Sequence, residues 1–169
     1  MKKISMIVLT VLTFGMTSCD MDKMPYDAIP AEEALTTIVG FEEARAGIYS
    51  VYLGLTGGSY VLAPEVQADA FNAVADFSNK YGELHRWTFE STNSTVETIW
   101  ANCYAAIGRA NFFIDGVGKI DENPEIELTE IQKQQINVYE GEAYFTRAYC
   151  YFYLATLFCR DYDVATAAN

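Results

Sequence analysis

The side chains best suited to binding a ligand gather in one irregular part of the chain. Trp87 offers an aromatic face on which a sugar ring can stack, and Asp69, Arg86 and Asn93 add groups that hydrogen-bond to hydroxyls. His85 lies beside them in the sequence. A carbohydrate-binding surface needs such a ring and a few fixed polar groups. Trp87 could equally be a packed anchor for its own loop, and the sequence leaves both interpretations open.

Signatures of catalysis are missing from the sequence. It contains no G-x-G-x-x-G and no P-loop, and the GGSY at 57–60 lacks the G-x-S-x-G frame. Carboxylates are numerous, but no pair is singled out as the two acids of a glycosidase. One histidine and the lack of a C-x-x-C pair make a metal site improbable. We therefore predict a binding protein rather than an enzyme, with no metal and no cofactor.

Composition is consistent with one acidic globular domain. The chain has 169 residues, of which 51% are hydrophobic, and a formal net charge of −12. That length and apolar content allow one domain with a real core. A sequence pI near 4.3 argues against nucleic acid as a partner, because phosphates attract basic surfaces.

The first residues are typical of an export signal. Two lysines precede an apolar run from Ile4 to Met16, and small residues lead to Cys19. The run is shorter than the ~20 apolar residues that span a bilayer. We predict a lipoprotein signal peptide over 1–18, cleaved so that Cys19 becomes a lipidated N-terminus. An ordinary secretory signal with an incidental cysteine is the alternative.

The segment that follows, 19–40, is predicted to be an extended tether because it contains two prolines and many charges. Three further cysteines remain, and an odd number cannot all pair within one chain. Cys103 and Cys150 stand in apolar helical contexts, so we interpret them as buried free thiols.

The remainder, 41–169, is predicted to be helical. Apolar residues recur at helical spacing, and no strand pattern competes with them. The predicted helices cover 41–55, 64–75 (starting at Pro64), 95–116 (with a Ser94/Glu97 capping box) and 130–159 (with a Thr129/Gln132 capping box). Between the second and third lies the long irregular stretch 76–93. The fold class is therefore all-α, with antiparallel helices and one elaborated loop.

The aromatic stretch 141–158 invites a different interpretation, as a membrane span or a stack of sugar-binding rings. It is too short for a span once Gly141, Glu142 and Arg147 are counted. Its aromatic residues spread around most of a helix, whereas a binding platform would keep them on one side. We therefore expect a helix buried among others, with Arg147 paired to Glu140 or to a neighbouring helix.

This same stretch carries a family resemblance. GEAYFTRAYCYFYLATLF at 141–158 resembles the hallmark of the SusD/RagB family. The residues that match it are Gly141, Glu142, Ala143, Phe145, Arg147, Ala148, Tyr151, Phe152, Leu154 and Phe158. Two earlier parts of the chain also resemble the family. They are the helix that bears Trp100, Tyr104, Ile107 and Asn111 and the segment that ends at Asp69. One departure is Cys159, where the family commonly has glycine.

The resemblance implies tetratricopeptide-like helix pairs supporting an irregular ligand-binding face. Members of the family are much longer, so we expect an N-terminal portion and an incomplete domain. The implied function is a surface-exposed outer-membrane lipoprotein that captures oligosaccharides, or in some branches peptides, and delivers them to a SusC-like TonB-dependent transporter.

By region, the resemblance again favours Trp87, Arg86, Asn93 and Asp69 as ligand-binding residues. Two other hypotheses are a helical-repeat scaffold that binds proteins or peptides and, without a candidate carboxylate pair, a surface hydrolase.

Overall fold

The computed structural model describes residues 30–74, 78–124 and 126–160, and these form an all-α structure. The helices are α1 (Ala31–Ala34), α2 (Ile38–Leu55), α3 (Ser59–Gln67), α4 (Gly82–His85), α5 (Ser94–Gly118) and α6 (Glu130–Phe158). Within those residues there is no strand, so the predicted fold class is confirmed. The predicted signal peptide and Cys19 lie outside the described residues.

The two longest helices, α5 and α6, lie antiparallel and make the most extensive contact in the fold. Trp100 near the start of α5 meets Phe158 at the end of α6, with ring centroids 5.1 Å apart. Further along, Arg147 of α6 donates to the Asn111 side chain of α5 at 2.9 Å. The predicted pairing of Arg147 with a neighbouring helix is therefore confirmed, and the guanidinium also lies over the Tyr144 ring.

Small buried side chains allow α5 and α6 to approach closely. Both helices place them at i, i+3 and i+7, which is one face of a helix. On α5 they are Cys103, Ala106 and Ala110, and on α6 they are Ala143, Thr146 and Cys150. Small residues leave room for two backbones to come near each other, which brings the rest of the core side chains into contact.

Helix α2 packs across this pair. The Phe41 ring meets Phe113 edge-on at 5.6 Å, and both are fully buried. Arg45 binds Glu142 through two hydrogen bonds of 2.5 and 2.8 Å. The hydrogen bond from Arg45 lowers the pKa of Glu142. The pair therefore stabilises the fold above the usual carboxyl pKa of about 4.3, and that contribution is lost as the pH falls through the folded pKa.

The start of the helical region differs from the prediction. Thr37 caps α2 by accepting a hydrogen bond from the Gly40 N–H, so the helix begins at Ile38 rather than at 41. Residues 31–34 are also helical, so the extended tether predicted for 19–40 does not hold for its last part. Glu42 and Glu43 consequently lie beyond the first turn of α2.

The second predicted helix, 64–75, is wrong in its position. Helix α3 spans Ser59–Gln67, and Pro64 lies inside it. A proline there has no N–H for the Tyr60 carbonyl one turn earlier. The hydroxyl of Tyr153 on α6 donates to that carbonyl instead. The chain then leaves the helix at Asp69, whose φ of 59° is left-handed, and Val74 in the last part of the predicted range is exposed.

The third predicted helix is correct in extent but not in its cap. Asn93 is the N-cap of α5, because its Oδ1 accepts from the Thr95 and Val96 N–H groups at 3.0 and 3.3 Å. The capping box expected at Ser94 and Glu97 is therefore wrong, because the N-cap is one residue earlier and Asn93 alone accepts from the first turn. Ile99 and Phe113 of this helix are buried, whereas Trp100 is 45% exposed.

The fourth predicted helix is confirmed with its capping box. The Thr129 hydroxyl accepts from the Gln132 N–H, and the Gln132 side chain accepts from the Thr129 N–H. The expected burial of this helix on all sides is wrong, since Phe145 and Phe152 are 58% and 69% exposed. No helix of the described residues has the length and apolar content to cross a membrane.

The cysteines of the described residues are all free thiols, as predicted for Cys103 and Cys150. Both of these are fully buried, whereas Cys159 at the end of α6 is exposed.

The hydrogen bond between Tyr153 and the α3 backbone generates a first prediction. Tyr153→Phe removes the donor to the Tyr60 carbonyl and should lower the free energy of unfolding by about 1 kcal/mol. In a Pro64→Ala background the helix regains an N–H for that carbonyl, so the same change should cost clearly less. Urea unfolding of the four proteins of this cycle measures the difference. An equal cost in both backgrounds would contradict the assignment.

The N-cap of α5 generates a second prediction. Asn93→Ala should lower the free energy of unfolding by about 1 kcal/mol, because two N–H groups of the first turn lose their acceptor. Ser94→Ala is the matched control and should change stability little, since the Ser94 side chain does not cap the helix. Urea unfolding of both variants distinguishes the two positions. A larger loss for Ser94→Ala would restore the capping box expected from the sequence.

Candidate functional site

The candidate site lies on the segment 78–93, which α4 fastens to the core. Leu84 is buried among side chains of α3, α5 and α6. His85 places its Nδ1 3.3 Å from the Val66 carbonyl at the end of α3. The Asn79 side chain lies where a Cβ on residue 82 would stand, so Gly82 lets that side chain pack against the start of α4. One short helix therefore holds an otherwise irregular segment against the scaffold.

Left-handed backbone is concentrated in this part of the chain. Among the described residues, those other than glycine with positive φ are Asp69, Ser78, Asn79, Tyr81 and Trp87. Such conformations are costly for residues with a Cβ and persist where the surrounding structure enforces them, often at functional sites. Two of the four residues predicted to bind ligand, Asp69 and Trp87, belong to this set.

The Trp87 ring is exposed to solvent, and its indole N–H is held by a hydrogen bond. The side chain is 66% exposed. Its Nε1 donates to the Gln67 carbonyl at 3.2 Å, and its ring lies 6.2 Å from Phe89 at an angle of 46°. The open ring is available for stacking, and the hydrogen bond fixes its orientation.

Asp69 lies beside the same junction between α3 and α4. Its carboxylate is 84% exposed and 3.7 Å from Nδ1 of His85. Both Trp87, through Gln67, and Asp69, through His85, are thus attached to the C-terminal end of α3. The structure brings these two predicted residues to one end of one helix.

Arg86 and Asn93 are held elsewhere on the segment. Arg86 is exposed and donates to the Asn79 side chain at 3.4 Å. Asn93 uses its Oδ1 to cap α5 and its Nδ2 to donate to Glu83 at 2.8 Å. Asn93 therefore has a structural role, which its position in the sequence did not reveal.

A polar depression that sequence reasoning missed adjoins Asn93. Its volume is about 410 Å³. The lining residues are Glu83, Thr88, Glu90, Thr92, Asn93 and Ser94. Carboxylates accept hydrogen bonds from sugar hydroxyls, and serine and threonine hydroxyls can both donate to them and accept from them. The many polar residues after Trp87 were the one sign of this depression in the sequence. The turn that follows α4 decides whether their side chains line one surface.

A second concave surface lies between α2 and α6. This groove of about 300 Å³ is mainly apolar and includes the half-exposed rings of Tyr49 and Phe145. Along α6, Phe145, Tyr149 and Tyr153 stack with centroid separations of 6.2 and 6.0 Å. Their i, i+4, i+8 spacing was visible in the sequence and marks one helix face.

Ionisable groups of the described residues offer no metal centre. No cluster of three or more His, Cys, Asp or Glu side chains could hold an ion there. At this place one exposed ring, that of Trp87, stands near polar groups that hydrogen bonds hold in position.

Comparison with known proteins places this architecture in a family. A model of the SusD-like family, described as "Starch-binding associating with outer membrane", matches residues 25–169. SusD-like protein P2 of Formosa agariphila is 26% identical over 163 residues, which cover 92% of this chain. The chain spans 29% of the length of that relative. No solved structure matches. Because the family model covers far more than half of the chain, the protein belongs to the SusD-like family.

Proposed function

We propose that this protein captures oligosaccharides at the cell surface and delivers them to a TonB-dependent outer-membrane transporter of the SusC type. The family description, which joins starch binding to the outer membrane, supports the general function. The observation that carries the proposal for this chain is the exposed ring of Trp87, fixed by its own indole N–H on a left-handed backbone.

Capture would work by stacking and hydrogen bonding without covalent chemistry. A sugar presents C–H groups on one face, which pack on the electron-rich face of an indole. Its hydroxyls lie at the ring edge, and we propose the exposed Asp69 carboxylate and Arg86 guanidinium as their hydrogen-bond partners. A ring already held in place loses little conformational entropy on binding.

The polar depression next to Asn93 extends this proposed surface. Glu83 and Glu90 supply acceptors there, and Thr88 follows Trp87 directly in the chain. In this account Asn93 shapes the depression by capping α5 and binding Glu83, and it contacts ligand only secondarily. The site is open, as capture followed by release into a transporter requires.

The apolar groove between α2 and α6 supports a second candidate function. Exposed aromatic residues over an apolar groove suit a peptide or another helix, as in a helical-repeat scaffold. The family description favours glycan capture over this alternative.

Substitution of Trp87 tests the ligand site. Trp87→Ala should weaken binding of a recognised oligosaccharide by about tenfold or more, since a stacked ring is lost. Trp100→Ala is the matched control, because Trp100 is also exposed but lies on α5 outside the segment. Isothermal titration of the exported, purified protein against a panel of starch-derived and other oligosaccharides measures both.

The alternatives give different results in that titration. Equal affinities of the Trp87→Ala and wild-type proteins would remove Trp87 from the site. Binding of peptides with no glycan bound over the panel would favour the scaffold function.

We further propose that 1–18 is a lipoprotein signal, that Cys19 bears the acyl chains, and that 19–30 tethers the domain to the outer membrane. Acyl chains hold a protein at a membrane by burying methylene groups. Cys19→Ala should release the protein from the outer-membrane fraction of cells that lack the transporter partner, as measured by fractionation and immunoblotting. Retention of the variant in that fraction would show that lipid is not the main attachment.

A further inference from the structure

A cleft on the surface of the α5–α6 pair is distinct from the surfaces described above. Its volume is about 610 Å³, which lies within the roughly 300–1,000 Å³ of small-molecule sites. It shares no lining residue with the polar depression or with the groove between α2 and α6. The lining residues are Asn111 of α5 and Tyr144, Arg147, Ala148 and Tyr151 of α6.

The spacing of side chains along α6 explains the shape of this cleft. Tyr144 and Tyr151 stand at i and i+7 and are 45% and 50% exposed, so two open rings share one face of the helix. Ala148 lies between them at i+4 and is also exposed. Because its side chain is a single methyl group, the space between the two rings stays open.

Arg147 is held in the cleft without a carboxylate partner. Its guanidinium lies 4.9 Å from the centroid of the Tyr144 ring, and its Nη1 donates to Oδ1 of Asn111 at 2.9 Å. None of the ion pairs formed by the described residues involves Arg147. A guanidinium has more N–H groups than the one bond to Asn111 uses, so donors remain for water or a ligand.

The charge of the cleft is opposite to that of the chain as a whole. The formal net charge is −12, yet the lining contributed by the described residues has one cation and no carboxylate. The planar fork of an arginine matches the two oxygens of a carboxylate, which it can bind through two parallel hydrogen bonds. The cleft therefore favours a ligand that carries a carboxylate.

We propose that this cleft binds the carboxylate-bearing unit of an acidic oligosaccharide, a uronic acid residue. Arg147 would hold the carboxylate, and the sugar ring would pack on the exposed faces of Tyr144 and Tyr151, whose hydroxyls also suit a sugar. An acidic side chain of a protein has no ring to fill the space between them. The proposal names a ligand class for the proposed capture function and rests on that function only for the source of the ligand.

NMR titration of the exported, purified protein with monosaccharide probes tests the proposal. Methyl β-D-glucuronide carries the carboxylate, and methyl β-D-glucoside is its neutral counterpart. At one ionic strength the glucuronide should shift the Nε–H signal of Arg147 and bind about tenfold or more tightly than the glucoside, because it adds charge-assisted hydrogen bonds. Equal affinities, or no saturable shift at Arg147, would overturn the proposal.

Two substitutions remove different features of the cleft. Arg147→Gln removes the charge but keeps an N–H that can donate to Asn111, and Ala148→Leu fills the space between the rings without changing the charge. Each should weaken glucuronide binding by about tenfold or more. Ala101→Leu is the matched control, because Ala101 is an exposed alanine of α5 outside the lining, and its affinity should be unchanged. An unchanged affinity of Ala148→Leu would contradict the cleft as the binding site.

Two further probes separate the neighbouring interpretations. N-acetylglutamate α-amide carries a carboxylate without a sugar ring, and methyl β-D-glucoside 6-sulfate carries a sulfate on the same ring. If either binds as tightly as the glucuronide, the assignment is overturned, in favour of an acidic protein segment in the first case and of sulfate esters in the second. These signals report on Arg147, whereas the titration of Trp87→Ala reports on another surface, so either proposal can fail while the other holds.

Discussion

The close antiparallel contact between α5 and α6 is the constraint on which the other elements depend. Small side chains in both helices permit it, and helices α2 and α3 pack on its surface. Helix α2 contacts the α5–α6 pair through Phe41 and Arg45. Helix α3 contacts it where the Tyr60 ring meets the ring of Tyr153 on α6. Gly116 of α5 has no room for a Cβ, because Leu35 fills that space. Larger side chains at the small buried positions of α5 and α6 would therefore push apart the two helices that support the candidate site.

The fold could be predicted wherever short-range patterns decide the outcome. Thr129 and Gln132 cap α6 as expected, since a capping box is complete within four residues. Pro64 misled the prediction because its position inside α3 depends on a hydroxyl from α6, almost ninety residues later in the chain. Asn93 rather than Ser94 caps α5 because both residue types suit an N-cap, and the packing of the preceding segment decides between them.

The candidate site was predictable in its general location but not in its details. Trp87 is exposed, as a stacking residue must be, whereas Asn93 is occupied by its cap and by Glu83. The left-handed turns that orient Asp69 and Trp87 leave no signal in a single sequence, because these residue types do not require positive φ. The exposed rings on α6 were missed because the sequence pattern does not say how many neighbouring helices are present.

The proposed capture of ligand depends on contact at Trp87, and the fluorescence of the indole itself can report that contact. The chain has two tryptophans, so Trp100→Phe leaves Trp87 as the single emitter. Saturating the Trp100→Phe protein with an oligosaccharide that it binds should shift or quench the tryptophan emission, because the sugar displaces water from the exposed ring. The Trp87→Phe protein, in which Trp100 alone emits, should show no such change. An unchanged Trp87 emission with bound ligand, together with a response of Trp100, would contradict the account.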